Sequence, residues 1–458
     1  MKRILFYLVF LVVLTSCDDF LEVGFNTSEL DTELVFENDN TALAALEGIY
    51  HELQSSGFAS GNIQSVTFLG NVLADDAIDY NNTNDRYDFY TNSLRADNST
   101  NYNIWSSAYK QLYNTNVLLE GIKENVDLSE ATKNRIKGEA KFLRAFIYYY
   151  LVHLYDGVPL VLTTDYHINQ NLACASTSEA HTQIQKDLEE ALIYLPEDYV
   201  YSNNEHIRPT KYAAHTLLAR LALWNEEYTQ AVNYASKVID SGKYSLTELD
   251  DVFKANSSES IWQLVPVMPN TGANEGNLFI LQNNPNALNN RSSQSLTKDF
   301  LSIWEANDFR YQNWIAIYTE GNDDYYYPYK YKFKVKGGSE EYSMVLRLAE
   351  LYLIRAEGYA KNGNPELALN DLNSIRNRAG LANRMITEVT DIEQTVLDER
   401  RRELFSEWGH RWLDLRRFGK SDEVLGQKKP TWQPHAKLLP IPEQDILRNP
   451  FLTQNSGY

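Results

Sequence analysis

Aromatic rings and amide side chains crowd two stretches of this chain, and their chemistry is recognition rather than bond breaking. The first stretch, Asp76 to Asn98, reads DAIDYNNTNDRYDFYTNSLRADN; the second holds Trp314 and the run Asp323-Asp324-Tyr325-Tyr326-Tyr327-Pro328. Tyr and Trp present a flat apolar face with a polar tip, which suits sugar rings, while Asn, Asp and Arg exchange hydrogen bonds with hydroxyls. On composition, the candidate ligand contacts are Tyr80, Asn81, Asn84, Arg86 and Tyr87 in the first stretch, and Trp314, Tyr325, Tyr326 and Tyr327 in the second. The competing use of such rings is core packing. Trp262 and Trp304 lie in strand-like or apolar periodic segments and are assigned to the core.

Catalytic spacing is missing where it would be sought. His51-Glu52 has no second histidine to complete a zinc helix, and Gly57 to Gly61 reads GFASG, without the Gly-x-Ser-x-Gly order of a nucleophile elbow. The run Asp79 to Asp85, DYNNTND, offers oxygen ligands but neither the glycine at its sixth position nor the closing Glu of a calcium loop. No catalytic residue, metal or cofactor is therefore expected. A surface glycoside hydrolase stands as a rival, because two of the 62 acidic side chains could lie at the separation such an enzyme needs. Against 42 basic residues they leave a formal charge of −20, which repels phosphate backbones and argues against a nucleic-acid partner.

The chain starts Met1-Lys2-Arg3, continues with an apolar run from Ile4 to Leu14, and reaches Leu14-Thr15-Ser16-Cys17. This is the layout of an export signal, residues 1–16, that ends at a lipidated cysteine. The apolar run falls short of the roughly 18 residues that a spanning helix needs. Acyl chains on Cys17 would moor the protein, since two or more chains hold stably where one holds marginally. Asp18 and Asp19 follow, and residues 17–32 read as a polar tether. Cys174 is the other cysteine, so no disulfide framework is expected and a core must supply the stability.

Helical spacing organises the remainder. Tyr102 to Ile122 sets Trp105, Ala108, Leu112, Tyr113 and Asn116 three and four apart, and Glu130 to Tyr155 does so with Ala140, Leu143, Ile147 and Leu151. These two predict an antiparallel pair, closed at Asp156-Gly157-Val158-Pro159, where Gly would take the left-handed turn and Pro cannot continue a helix. Ala219 and Ala231, and again Ala356 and Ala368, lie twelve apart at tetratricopeptide-like spacing, with small side chains where paired helices cross. Such pairs also permit a pure protein-interaction scaffold. Residues 246–342 and 76–98 show no helical period and read as long loops.

Four segments, in order, resemble the SusD/RagB family: EAKFLRAFIYYYLVHLYDGVPLV from Glu139, LRLAELYLIRAEGYAKNG from Leu346, ERRRELFSEWGHRWLDLRRFG from Glu399, and LLPIPEQDILRNPFLTQNSGY from Leu438. In the third, Glu399 and Glu403 lie four apart, Arg400 and Glu403 three, and Arg400 and Glu407 seven, so these charges share one side of a helix and predict ion pairs between turns and with neighbouring helices. The Pro-rich fourth predicts an extended strap whose Asn and Gln side chains bond helix carbonyls. The resemblance implies a mainly α fold: tetratricopeptide-like helix pairs forming a right-handed helical scaffold with a loop-rich, irregular ligand-binding face, as a single domain over residues 33–458. It further implies a lipid-anchored outer-membrane protein facing the cell exterior, which binds an oligosaccharide or other oligomeric nutrient and delivers it to a SusC-like TonB-dependent transporter.

Overall fold

The computed structural model describes residues 32–82, 84–123, 125–268, 271–287, 291–335 and 340–458. The export signal and most of the tether, Cys17 included, lie outside the described residues. The helices of eight or more residues are α1 (Asp39–Ser55), α2 (Val66–Leu73), α3 (Asn84–Thr91), α4 (Ser99–Gly121), α5 (Glu130–Tyr155), α6 (Thr177–Tyr194) and α7 (Lys211–Trp224). They continue as α8 (Tyr228–Ile239), α9 (Leu348–Lys361), α10 (Pro365–Arg378), α11 (Ile392–Leu404), α12 (His410–Arg417) and α13 (Ser421–Lys428).

Local chemistry starts these helices where the sequence changes character. Asn98 and Ser129 accept from the backbone N–H groups of Asn101 and Thr132, and Ser176 forms a reciprocal capping box with Glu179. Consecutive helices from α4 to α11 pack side by side. Ala219, Ala231, Ala356 and Ala368 are all fully buried, as close crossing requires. The array is interrupted in sequence but continuous in space, because α8 packs directly on α9 across the intervening hundred or so residues. At that contact Gly358 lies under Val232 and the Tyr228 carbonyl, leaving no room for a Cβ. In α4, Trp105, Ala108, Leu112 and Asn116 turn inward, whereas Tyr113 faces solvent.

Two expectations change at the ends of elements. α5 stops at Tyr155 as its sequence predicts, but Asp156 rather than Gly157 takes the positive φ, at 67°. Arg400 reaches Asp414 at 2.8 Å instead of Glu403 or Glu407, which are held by Arg310, Arg347, Arg378 and Lys330 from other elements. Those carboxylates face inward, so their partners must come from across the core. The strap reaches a helix carbonyl at one point, where the Asn455 amide donates to Tyr155 at 2.8 Å; its other bond, to Leu439, and that of Gln454 to Ile441 fold the strap on itself.

Both predicted loops contain regular structure. Residues 76–98 hold β1 (Ala77–Asp79) and α3, and residues 246–342 hold β2 (Ser260–Leu264), β3 (Gln294–Leu296), β4 (Ile315–Glu320) and β5 (Asp323–Pro328). β2 pairs antiparallel with β6 (Ser343–Arg347), and every residue of both is buried, so this pair clamps the two ends of the insertion to the helical body. β1 pairs antiparallel with β3, and β4 forms a hairpin with β5. α3 is held by tertiary bonds instead of an apolar stripe: Phe89 is its fully buried ring, while Asn98 bonds the Asp85 carbonyl and the Asp88 carboxylate.

Candidate functional site

The strand pairs bring the two aromatic stretches together. Tyr80 follows β1 directly, and its N–H donates to the Ser293 carbonyl at 2.9 Å, which extends the β1–β3 ladder to the tyrosine. Its hydroxyl accepts from Ser295 Oγ at 3.1 Å. Because β3 also lies beside β5, the Tyr80 ring meets the edge of Tyr325, with centroids 5.5 Å apart at 81°. Tyr325 in turn stands opposite Tyr318 across the hairpin, at 6.5 Å. Three rings from segments about 240 residues apart thus form one partly exposed surface. Tyr87 and Tyr90 of α3 continue it as a second ring pair at 6.3 Å, Tyr87 being exposed. Burial raises the Tyr90 hydroxyl pKa, assisted by the nearby Tyr80, Tyr87 and Asp79. The Tyr90 phenol is therefore a protonated donor at neutral pH.

Arg86 braces this surface. Its Nη2 donates to Asp79 Oδ2 at 2.8 Å and to Ser293 Oγ at 2.6 Å, and the guanidinium covers the Phe68 ring at 4.7 Å. The charge predicted to meet a ligand is consumed internally, so Arg86 holds β1 against β3. Asn81 donates its backbone N–H to Asp79 Oδ1 and its side chain stays partly exposed. Asn84 opens α3, and its side chain lies outside the described residues.

The second stretch divides between surface and core. Strand periodicity sends alternate side chains to opposite faces. Tyr325 shares the surface with Tyr318, whereas Tyr326, half-buried, packs on the other face against an interior cluster that Trp304 and Tyr311 also flank. Tyr327 is buried with Ile280 and Leu281. Trp314 is wholly buried, with its Nε1 donating to the Leu249 carbonyl at 3.0 Å, so it joins Trp262 as a core residue. Burial therefore removes Trp314 and Tyr327 from the candidate ligand set, and half-buried Tyr326 lies on the opposite face of the hairpin from Tyr325. Tyr318 and Tyr90 enter the set. The signal for Tyr318 was present in sequence: Gly321-Asn322 between IAIYTE and DDYYYP marks a hairpin that faces Tyr318 with Tyr325.

Beneath the hairpin, Glu275 lines a water-sized space with Tyr331, Lys330, Pro328 and Ser406. Ser343 Oγ donates to its Oε1, and its Oε2 has no partner. Burial pushes this carboxyl up to about 7. The folded form therefore holds its proton more tightly than an unfolded carboxyl with a pKa of 4.5 does. That stabilisation is full below pH 4.5 and is lost as pH rises through 7. Glu275→Gln, which mimics the protonated form, is expected to gain on the order of 1 kcal/mol at pH 8 and nothing at pH 4. Urea unfolding at the two pH values measures this, and equal effects would show that Glu275 is ionised in the fold.

Comparison with known proteins agrees with this architecture. The profile of a family described as "Starch-binding associating with outer membrane" matches residues 19–223, and that of the "SusD family" matches residues 304–458. A "Prokaryotic membrane lipoprotein lipid attachment site" matches residues 1–17, which supports anchoring of the chain to a membrane by lipid. A SusD-like protein of Formosa agariphila is 24% identical over 100% of this chain and 99% of its own. A SusD superfamily crystal structure from Bacteroides vulgatus superposes with a TM-score of 0.79 at 20% identity, covering 92% of this chain and all of the other. A structure described as a laminarin-binding SusD-like protein gives 0.73 at 25% identity, with the same coverage. With helix pairs, strap and both halves of the chain matched, this protein belongs to the SusD/RagB family.

Proposed function

We propose that this protein captures a glycan at the cell surface, on the Tyr80–Tyr325–Tyr318 face, and passes it to a TonB-dependent transporter of the SusC type. The observation that carries the reading is the convergence of those three rings, with Tyr87 and Tyr90 beside them, on a strand framework braced by Arg86. Such a face stacks on the apolar side of a sugar ring while the phenol hydroxyls and Asn81 bond its hydroxyl groups. The laminarin-binding relative makes β-glucan oligosaccharides the first ligands to test, followed by starch oligosaccharides. In calorimetry, Tyr325→Ala is expected to weaken binding about tenfold. Absence of any saccharide ligand, or full affinity in the Tyr325 variant, would overturn the reading.

Transfer without hydrolysis fits the placement of the carboxyls. Glu139, Asp76 and Glu275, whose carboxyls burial raises, are sealed in the interior, away from any glycosidic bond. Production of new reducing ends from a bound glycan would reverse this conclusion. The lipid attachment match at residues 1–17 and the outer-membrane family description support a lipid-anchored position in the outer membrane, with the tyrosine face turned to the exterior. Protease sensitivity on intact cells tests that orientation, and protection would contradict it.

A further inference from the structure

A second concavity, of about 450 Å³, opens among helix ends of the scaffold and shares no residue with the tyrosine face. It is bounded by the C-terminal ends of α7, α9 and α12 and the first turns of α8 and α11. Its volume falls in the range of about 300–1,000 Å³ typical of small-molecule sites.

Charge in this cavity is unevenly compensated. Arg416 Nη1 donates to the His153 carbonyl, and no carboxylate among the described residues lies within ion-pair distance of its guanidinium. The other buried arginines of this region differ: Arg417 is paired with Glu357 and Asp414, Arg220 with Glu350, and Arg400 with Asp414. Burial lowers the Arg416 pKa to about 10, with Asp156 opposing the shift. Among the described residues Lys420 bonds a neutral partner, the Gln394 amide oxygen, and has no carboxylate within ion-pair distance. The carboxylate of Glu393 is taken by Lys361, and those of Glu226 and Asp391 stand at exposed positions where water screens them. A half-buried guanidinium without a counter-charge is costly in part, and an incoming anion offsets that cost. Trp224 supplies a fixed wall: its Nε1 donates to Tyr149 OH at 3.1 Å and its ring stacks on His153 at 4.0 Å.

We propose that this cavity is a separate binding site for a small anion of monosaccharide size, whose carboxylate or phosphate group is held by Arg416 and Lys420 against Trp224. The inference is independent of the glycan face. It is tested by titrating D-glucuronate and glucose 6-phosphate into the full lipidated chain in detergent at fixed ionic strength, with D-glucose and sodium chloride as controls. At least one acidic sugar is expected to bind and raise the melting temperature, its identity distinguishing carboxylate from phosphate, while glucose does neither. Arg416→Gln is expected to weaken that binding about tenfold or more, and Lys420→Gln, at a partly exposed position, about threefold. Tyr325→Ala leaves it unchanged, so failure of the glycan reading and failure of this one are separable. Should Arg416→Gln not fold, Lys420→Gln decides. The proposal is overturned if neither acidic sugar exceeds the sodium chloride control, or if affinity survives intact in the folded variants.

Discussion

Replacing Arg347 by Met is expected to lower the unfolding free energy by about 3–5 kcal/mol, the cost of leaving buried carboxylates without their counter-charge. Arg347 is the N-cap of α9 and ends β6, so its side chain enters the junction between the helical array and the clamped insertion. There it donates to Glu407 Oε2 at 2.8 Å, Glu259 Oε1 at 2.8 Å and Glu403 Oε1 at 2.6 Å, and also to the Glu403 carbonyl. All three acids are almost fully buried. Arg310, Arg378 and Lys330 complete the set, but each already has its own bond within it. Methionine fills the space of the Arg stem without its charge. Adding Glu407→Gln should recover part of the loss, because one orphaned charge is removed with its partner. Denaturant midpoints measure both variants. A loss under about 1 kcal/mol in Arg347→Met would show that water or local rearrangement relieves the carboxylates, and that the network is not a major determinant of stability.

Acidification is expected to weaken the fold in two stages. His410 is buried beside Glu350, Arg220, Arg400 and Asp414, and burial lowers its pKa to about 4 from 6.5. The unfolded chain thus takes up this proton first, and the contribution of His410 is lost from pH 6.5 towards 4, against the smaller gain from Glu275. Burial alone would raise the Glu350 carboxyl, yet Arg220, bonded to both its oxygens at 2.6 Å, outweighs that and brings it to about 2. Asp414 is likewise raised by burial and lowered further by Arg400 and Arg417, to about 2. A depressed acid contributes above its unfolded pKa and loses that contribution as pH falls through the folded value, so the second stage runs from about pH 4.5 down to 2. Each full shift of His410 and Glu350 corresponds to about 3 kcal/mol, and because the groups touch, their effects are coupled rather than additive. Urea midpoints measured from pH 8 to pH 3 follow the loss. In the Glu275→Gln background, which removes that carboxyl's opposing gain on acidification, a midpoint that stays flat from pH 6.5 to 4 would mean that His410 is as easily protonated in the fold as outside it.

Helices and strap were legible because their signals are local. The spacing of Leu143, Ile147 and Leu151, or the small Ala219 and Ala231, records a packed face within one element, and Asn455 has one use beside exposed carbonyls. The site was legible only in part. Tyr80, Tyr87 and Tyr325 could be chosen by composition, but their meeting depends on β1 pairing with β3 more than 200 residues later, which no periodicity records. The run Tyr325-Tyr326-Tyr327 looks like one platform in sequence, and the alternation of a strand divides it. Trp314 was misassigned because a tryptophan in a polar stretch looks exposed until the Leu249 carbonyl is seen to take its N–H. The Arg416 cavity left no trace, since its residues come from the ends of five helices.

Gly70 of α2 and Gly409 before α12 touch backbone to backbone: a Cβ on Gly70 would sit 2.6 Å from Gly409 Cα, and Gly409 needs its φ of +68°. Close by, buried Asp75 is bonded to Arg401, Arg411 and Lys428. Some of the earliest helical sequence to emerge in synthesis therefore has no neutralising partner until more than 300 residues later have followed. A partly made or partly exported chain carries a naked acid where its interior should close, which favours keeping it open during passage and delays commitment to the final shape until the last third arrives.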